Sequence, residues 1–172
     1  FEKRIEEYEM MLDESTIWLV RLQGVGYCNA EEMVEAGVSG PNVRAAGVNY
    51  DVRWAHPYSV YDEVDWEPAV EKPTSVKGAD CYDRYRVRIE EMRQSCRMVL
   101  DAIEKIPGGK NTNYASGDEM IYTKAPTRAP EGATGFSNYE CTRGASQFYI
   151  EGGGEGRGKK PYRLSIRSPM FI

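Results

Sequence analysis

Histidine is nearly absent from this chain: among 172 residues only His56 occurs. A multi-histidine metal site is therefore excluded, and a Ser-His-Asp or Cys-His nucleophile would have to be built on His56 alone. Nothing around His56 selects it for that work, so it reads as structural. The four cysteines, Cys28, Cys81, Cys96 and Cys141, include no CxxC pair. The spacings of zinc ribbons and of thioredoxin-type redox motifs are thus missing. So low a density does not predict a disulfide framework, and Cys81 and Cys96 read as reduced core thiols on a helix. Positive charge is also short, with 22 Lys and Arg against 27 Asp and Glu and a net charge of −5. That balance argues against sequence-independent nucleic-acid binding. No apolar run is long enough to span a bilayer and no signal-peptide pattern is present, so a membrane role would come through partners.

What is there suits a globular chain with one real core: 41% hydrophobic and 28% charged residues. The chain opens on an amphipathic helix at Phe1 without a start Met and stops at Phe171-Ile172 straight after a strand-like run. It reads as an internal fragment of a longer polypeptide. Its organising stretch runs from Gly40 to Ile106. Tyr82, Tyr85, Ile89, Met92, Cys96, Val99, Ile103 and Ile106 alternate at spacings of three and four, which places them on one face of a long helix. Asp80 is the expected N-cap, Asp83 suits the first turn, and Pro107-Gly108-Gly109 stops the helix. The stripe reads as core-facing. Arg84, Arg88, Arg93 and Arg97, interleaved with Glu90, Glu91, Asp101 and Glu104, read as a solvated or salt-bridged face.

In chain order, Phe1 to Asp13 reads as a helix on Phe1, Ile5, Tyr8 and Leu12. Ser15 or Asp13 caps a second helix over Thr16 to Gln23, and Asn29 caps a third over Ala30 to Ala36 that Gly37 ends. Gly40-Pro41 marks a turn, and Val48 to Trp54 alternates as a strand. Tyr58 to Pro73, rich in Tyr, Trp, Asp and Glu, reads as an irregular loop pinned by its aromatics, with a docking surface as the sharper alternative. Pro107 to Thr134 reads as a long polar loop. Phe136 to Ile150 and Tyr162 to Ile166 read as two strands joined by the glycine-rich run Gly152 to Gly158. That run lacks a following helix N-terminus and so is a poor phosphate cradle. The expected class is α+β: a long central helix, flanking helices and a small antiparallel sheet or hairpin. The segments are helical 1–37, an extended segment and aromatic loop over 40–79, the long helix 80–106, a loop 107–134 and a C-terminal hairpin 136–172.

Two motifs carry a resemblance. Gly40-Pro41-x-x-Arg44-Ala45-x-Gly47-Val48-Asn49-Tyr50-Asp51-Val52-Arg53, with Pro57-Tyr58 and Tyr61-Asp62 following, resembles a stretch of the 49-kDa-type (D-type) subunit of respiratory complex I. Asp80-Cys81-Tyr82-Asp83-Arg84-Tyr85 and Arg88-Ile89-Glu90-Glu91-Met92-Arg93-Gln94-Ser95 are similar to that family almost letter for letter. Arg4-Ile5-Glu6, Ile17-Trp18, Pro161-Tyr162-Arg163 and Ser168-Pro169 also fit, so the likeness covers nearly the whole chain. The family is related to the large subunits of [NiFe] hydrogenases, and the resemblance implies that fold.

The resemblance implies a subunit of a membrane-associated NAD(P)H- or ferredoxin-type:quinone oxidoreductase. Such a subunit lies on the cytoplasmic side, packs against a small iron–sulfur subunit and contributes to the cavity where a quinone is reduced. It implies no metal or other cofactor bound by this chain, a quinone-type acceptor and a neighbouring iron–sulfur cluster. The family's histidine and tyrosine near the quinone fall outside Phe1 to Ile172, so no catalytic residue is assigned, and the long helix and Arg44 to Arg53 are expected as scaffold. Two departures stand out. Asn111 to Ala133 lacks the family's helical insert with its His-His pair. Arg143-Gly144-Ala145 stands where the family carries Arg-Gly-Glu before the first hairpin strand. Both imply a divergent, archaeal-type member whose donor or acceptor need not be NADH or ubiquinone. The alternatives are a membrane-bound [NiFe]-hydrogenase-like large subunit, which needs cysteine pairs beyond this stretch, and a non-catalytic interaction module.

Overall fold

The computed structural model describes residues 1–105, 130–154 and 160–169. The elements are α1 (Glu2–Asp13), α2 (Thr16–Leu22), α3 (Ala30–Glu35), α4 (Pro41–Ala45), α5 (Val52–Ala55), α6 (Cys81–Lys105), β1 (Thr134–Cys141), β2 (Gly144–Glu151) and β3 (Arg163–Arg167). The mixed architecture expected from the sequence is present: a long helix, smaller helices against it, and one antiparallel sheet in the order β1-β2-β3. The insert position between α6 and β1 lies largely outside the described residues.

Local chemistry explains where the helices begin. Ser15 accepts from the Trp18 N–H at 3.4 Å, and Asn29 and Glu32 form a reciprocal capping box. Gly37, at φ 71°, follows the end of α3. At the start of α6, Asp80 Oδ1 accepts from the Asp83 N–H at 2.9 Å while Asp83 Oδ2 accepts from the Asp80 N–H at 3.2 Å. The same two carboxylates reach outward. Asp80 accepts from the Gly24 N–H at 2.8 Å, and Asp83 from the Thr74 N–H at 3.2 Å. The first turn of α6 therefore holds two loops as well as itself.

The core lies between α3, α4 and the first half of α6, where Met33, Val43, Ala45, Ala46, Ala79 and Val87 pack together. Ile89 is buried too, and a fully buried aliphatic side chain of this size contributes about 1.5–3 kcal/mol. The helical stripe is core-facing only in this first half. Ile89 is 2% exposed, but Val99 and Ile103 are 57% and 59% exposed. Met92 and Cys96 are half-buried rather than buried. The buried contact on α6 also includes Val87, which is off the expected stripe, because α4 packs beside that part of the helix.

Several expectations are corrected. Gly40-Pro41 does not make a simple turn: Gly40 is the N-cap and Pro41 the first residue of α4, where its missing N–H costs nothing. Val48 to Trp54 is not a strand. Asp51 accepts from the Arg53 N–H at 2.9 Å and caps α5, so local capping overrides a short alternation that has no partner strand. Phe136 to Ile150 is not one strand but two, β1 and β2, turning at Thr142-Arg143 with Cys141 paired to Gly144. Arg143-Gly144-Ala145 thus sits between the first and second strands, not before the first. Gly144, at φ 128°, lies against the Gly40 backbone; a Cβ on Gly40 would come within 2.4 Å of Gly144 Cα. This glycine-to-glycine approach brings the β1-β2 turn onto α4. The expected pairing across the glycine-rich run is present as β2 antiparallel to β3.

Candidate functional site: a buried ion cluster on a cavity wall

Arg44 lies on α4 with its side chain 2% exposed, and a guanidinium so deeply buried requires partners. They come from three other parts of the chain. From α6, Glu91 Oε1 accepts from both Nε and Nη2, at 2.9 and 2.6 Å. From β1, Glu140 Oε1 accepts from Nη1 at 3.0 Å. From the loop before α5, the Tyr50 carbonyl accepts at 3.0 Å and Asp51 Oδ2 stands 3.1 Å away. One arginine therefore fastens α4, α6, β1 and the approach to α5 at a single point.

A second arginine extends the cluster. Arg53 grips Asp51 with Nε and Nη2, at 3.0 and 2.7 Å. Its guanidinium lies 4.6 Å from the Trp66 ring centroid and 5.6 Å from that of Tyr61. Asp51 and its hydrogen bonds hold the Arg53 pKa above the usual arginine range, against the opposing effect of burial. Tyr61 packs edge-on to Tyr58, whose hydroxyl accepts from the Glu140 N–H at 3.2 Å. The aromatics of the 58–73 loop are thus largely occupied inside the chain, as the pinned-loop reading expects.

The cluster forms one wall of a cavity of about 1170 Å³. Tyr8, Tyr85, Ile89, Met92, Val99 and Leu100 supply apolar lining, and Arg88, Arg143, Cys96 and Cys141 also line it. Burial raises the Glu91 and Glu140 carboxyls above the ordinary glutamate range, with Arg44 opposing the rise in both cases. Burial pushes the Tyr85 hydroxyl up to about 12, aided by Asp13 and Glu9. That hydroxyl has no hydrogen-bond partner among the described residues. Desolvation lowers Arg88, and the neighbouring Arg84, Arg143 and Arg44 act in the same direction.

Asp51, Glu91 and Glu140 converge on guanidinium groups, and among the described residues no three His, Cys, Asp or Glu side chains form a metal-holding group. His56 is an exposed residue at the C-terminal end of α5. The four cysteines are free and half-buried, so none is a fully buried core thiol. The Arg44 to Arg53 stretch, expected as scaffold, is brought together with α6. Glu91, read from the sequence as part of a solvated or salt-bridged face, is salt-bridged: it sits half-buried against Arg44 in the cluster. Glu140 carried no sequence signal: it is 96 residues from Arg44, and one Glu in an alternating strand is unremarkable until the hairpin folds over.

A long helix fastened by charge to the Gly40 to Arg53 stretch, beside a large cavity, defines an α+β scaffold. The model for the family described as respiratory-chain NADH dehydrogenase, 49 Kd subunit, matches residues 1–172, and the chain belongs to that family. A D-type subunit of the NADH-quinone oxidoreductase of Thermodesulfovibrio yellowstonii is 39% identical over 98% of this chain and 45% of that protein. The H-type subunit of the NAD(P)H-quinone oxidoreductase of a Synechococcus species is 34% identical over 100% of this chain and 46% of its own length. The chain spans less than half the length of these relatives. A chain of the membrane-bound sulfane sulfur reductase, an archaeal respiratory membrane complex, has a TM-score of 0.77 at 30% identity, over 98% of this chain and 42% of that one.

Proposed function

We propose that this chain is part of the subunit that scaffolds the acceptor-reduction cavity of a membrane-associated NAD(P)H- or ferredoxin-type:quinone oxidoreductase. The observation that carries this reading is the Arg44 junction. It ties the family's Gly40 to Arg53 motif, the Glu91 position of α6 and the β1-β2 hairpin into one wall of the cavity. In this reading the chain binds no metal. Electrons arrive from an iron–sulfur cluster held by a neighbouring small subunit, the acceptor lies in the cavity, and the chain contributes the fixed charges that position the wall. The assembly sits peripherally on the cytoplasmic side of the membrane. Among the described residues no helix is long and apolar enough to cross it. The subunit shares the central helical core of the [NiFe]-hydrogenase large subunits; a hydrogenase role ranks second because the relatives are named quinone oxidoreductases.

The likeness to the sulfane sulfur reductase favours a second reading of the acceptor, in which a polysulfide-type chain replaces the quinone. The test is purification of the complex through a tag on this subunit. Mass spectrometry should find an iron–sulfur subunit, and the complex should reduce a short-chain quinone. Reduction of polysulfide with no quinone activity selects the second reading. A lone subunit without iron or acceptor reduction overturns both.

A further inference from the structure

The two outer edges of the sheet differ. The β1 edge is taken up inside the chain: the Glu140 N–H donates to the Tyr58 hydroxyl at 3.2 Å, and α5 packs beside the strand. The other edge is β3. The Gly152 N–H donates to the Ala133 carbonyl at 2.7 Å, which sets the alternation along β2. Gly144, Ser146, Phe148 and Ile150 bond to β1, and the residues between them bond to β3. The β2-β3 register then turns the backbone N–H and C=O of Leu164 and Ile166 away from the sheet. Those groups make no hydrogen bond among the described residues.

Side chains and charge mark the same strand. The sheet face opposite Glu140 carries Tyr139, Phe148, Ile150, Leu164 and Ile166, with Tyr139 stacked on Phe148 at 5.9 Å. Ile150, Leu164 and Ile166 are 46%, 53% and 57% exposed. In a chain of net charge −5, the sequence from Gly156 to Ile172 contains Arg157, Lys159, Lys160, Arg163 and Arg167 and no Asp or Glu. Arg163 lies over the Tyr149 ring and Arg167 donates to the Gly37 carbonyl. Neither they nor Lys160 pair with a carboxylate among the described residues.

We propose that the outer edge of β3 receives an extended, acidic segment of a neighbouring subunit as a fourth strand of the sheet. The proposal rests on the multisubunit reading above. Such a strand supplies partners for the outward N–H and C=O of Leu164 and Ile166. Strand alternation sets its composition: apolar side chains continue the Leu164 and Ile166 face, and acidic ones lie beside Arg163 and Arg167 on the other. A second copy of β3 is disfavoured, because like charges would meet along the shared edge. A lipid surface would meet the cations but leave the edge backbone groups without partners.

The test uses the assembled complex, purified in detergent through a tag on this subunit. Two measurements are made on wild type. Hydrogen exchange should show the Leu164 and Ile166 amides protected. Carbodiimide, which joins an amine directly to a carboxylate, should link Lys160 to an Asp or Glu of another subunit. The charge-reversed variant, Lys160→Glu with Arg163→Glu, should recover about tenfold less of that subunit. If that variant does not fold, Leu164→Pro removes an N–H that β2 does not use, and should lower recovery in the same way. Rapid exchange at Leu164 and Ile166 in a complex that still reduces its acceptor overturns the proposal and leaves the proposed function standing. A Lys160 link confined to this subunit or to a second copy overturns it, as does protection seen only with anionic lipid vesicles. If no other subunit co-purifies, the multisubunit reading fails and the proposal with it.

Discussion

Replacing Arg44 by alanine removes the one cation shared by three acids. Asp51 keeps both arms of Arg53, and Glu140 keeps the Val52 N–H, but Glu91 loses both of its hydrogen bonds. Glu140, whose side chain is 3% exposed, is left without a cation in direct contact. Breaking a buried ion pair from one side costs about 3–5 kcal/mol, and Arg44→Ala is expected to lose that much stability near neutral pH. The pH dependence follows from burial, which raises Glu91 and Glu140 above the ordinary 4.5 in the folded chain. A carboxyl with a raised folded pKa contributes stability that is complete below its unfolded value and is lost as pH rises through the folded one. Without Arg44 opposing the rise, both folded values move higher. The deficit of Arg44→Ala should therefore be smallest near pH 4.5 and grow as pH increases through the raised range. Urea melts followed by tryptophan fluorescence at several pH values measure it. A deficit below about 1 kcal/mol at about pH 7.5, less than even a modest buried pair, refutes the reasoning. So does a deficit that grows as pH falls. Arg44→Lys should lie between the two, because an ammonium cannot reproduce the forked grip on Glu91 and Glu140.

Other substitutions test other parts of the fold. Ile89→Ala should cost about 2–5 kcal/mol in the same melts, and Met92→Ala clearly less, because Met92 is half-buried on the cavity wall. Equal losses at the two sites would contradict the placement of the core. Gly144→Ala should destabilise by about 3 kcal/mol or more, since its φ of 128° is strained for alanine and the new Cβ would stand 2.5 Å from Ser39 Oγ and 2.8 Å from the Ser39 carbonyl. A soluble variant with an unchanged melting midpoint would exclude that contact. Arg93, which pairs with Glu9 of α1 and Glu90 of α6, is 28% exposed, so Arg93→Ala should cost about 0.2–1 kcal/mol by denaturant melting. A loss above about 2 kcal/mol would show that this pair is not a surface pair.

The sequence by itself determined the features that depend on neighbours a few residues apart. The three-and-four spacing on α6, the Ser15, Asn29 and Asp80 caps, and the break after α3 at Gly37 are all short-range matters of backbone hydrogen bonding. Each was legible for that reason. The motifs at Gly40 to Arg53 and Asp80 to Ser95 also placed the chain in its family, because they are long and specific. Tertiary structure decided the rest. Whether Val48 to Trp54 is strand or capped helix depended on whether another strand pairs with it; none does among the described residues, and the Asp51 cap prevails. How far the α6 stripe is covered depended on where α4 packs, and no periodicity records that. The candidate site was least legible of all. Glu91 and Glu140 lie 47 and 96 residues from Arg44 along the chain, and a charged side chain on a helix or strand looks solvent-facing until another element folds over it. Only the folded chain could distinguish Glu140, held on both oxygens, from Glu91, held on one, because that difference is set by which donors lie within about 3 Å.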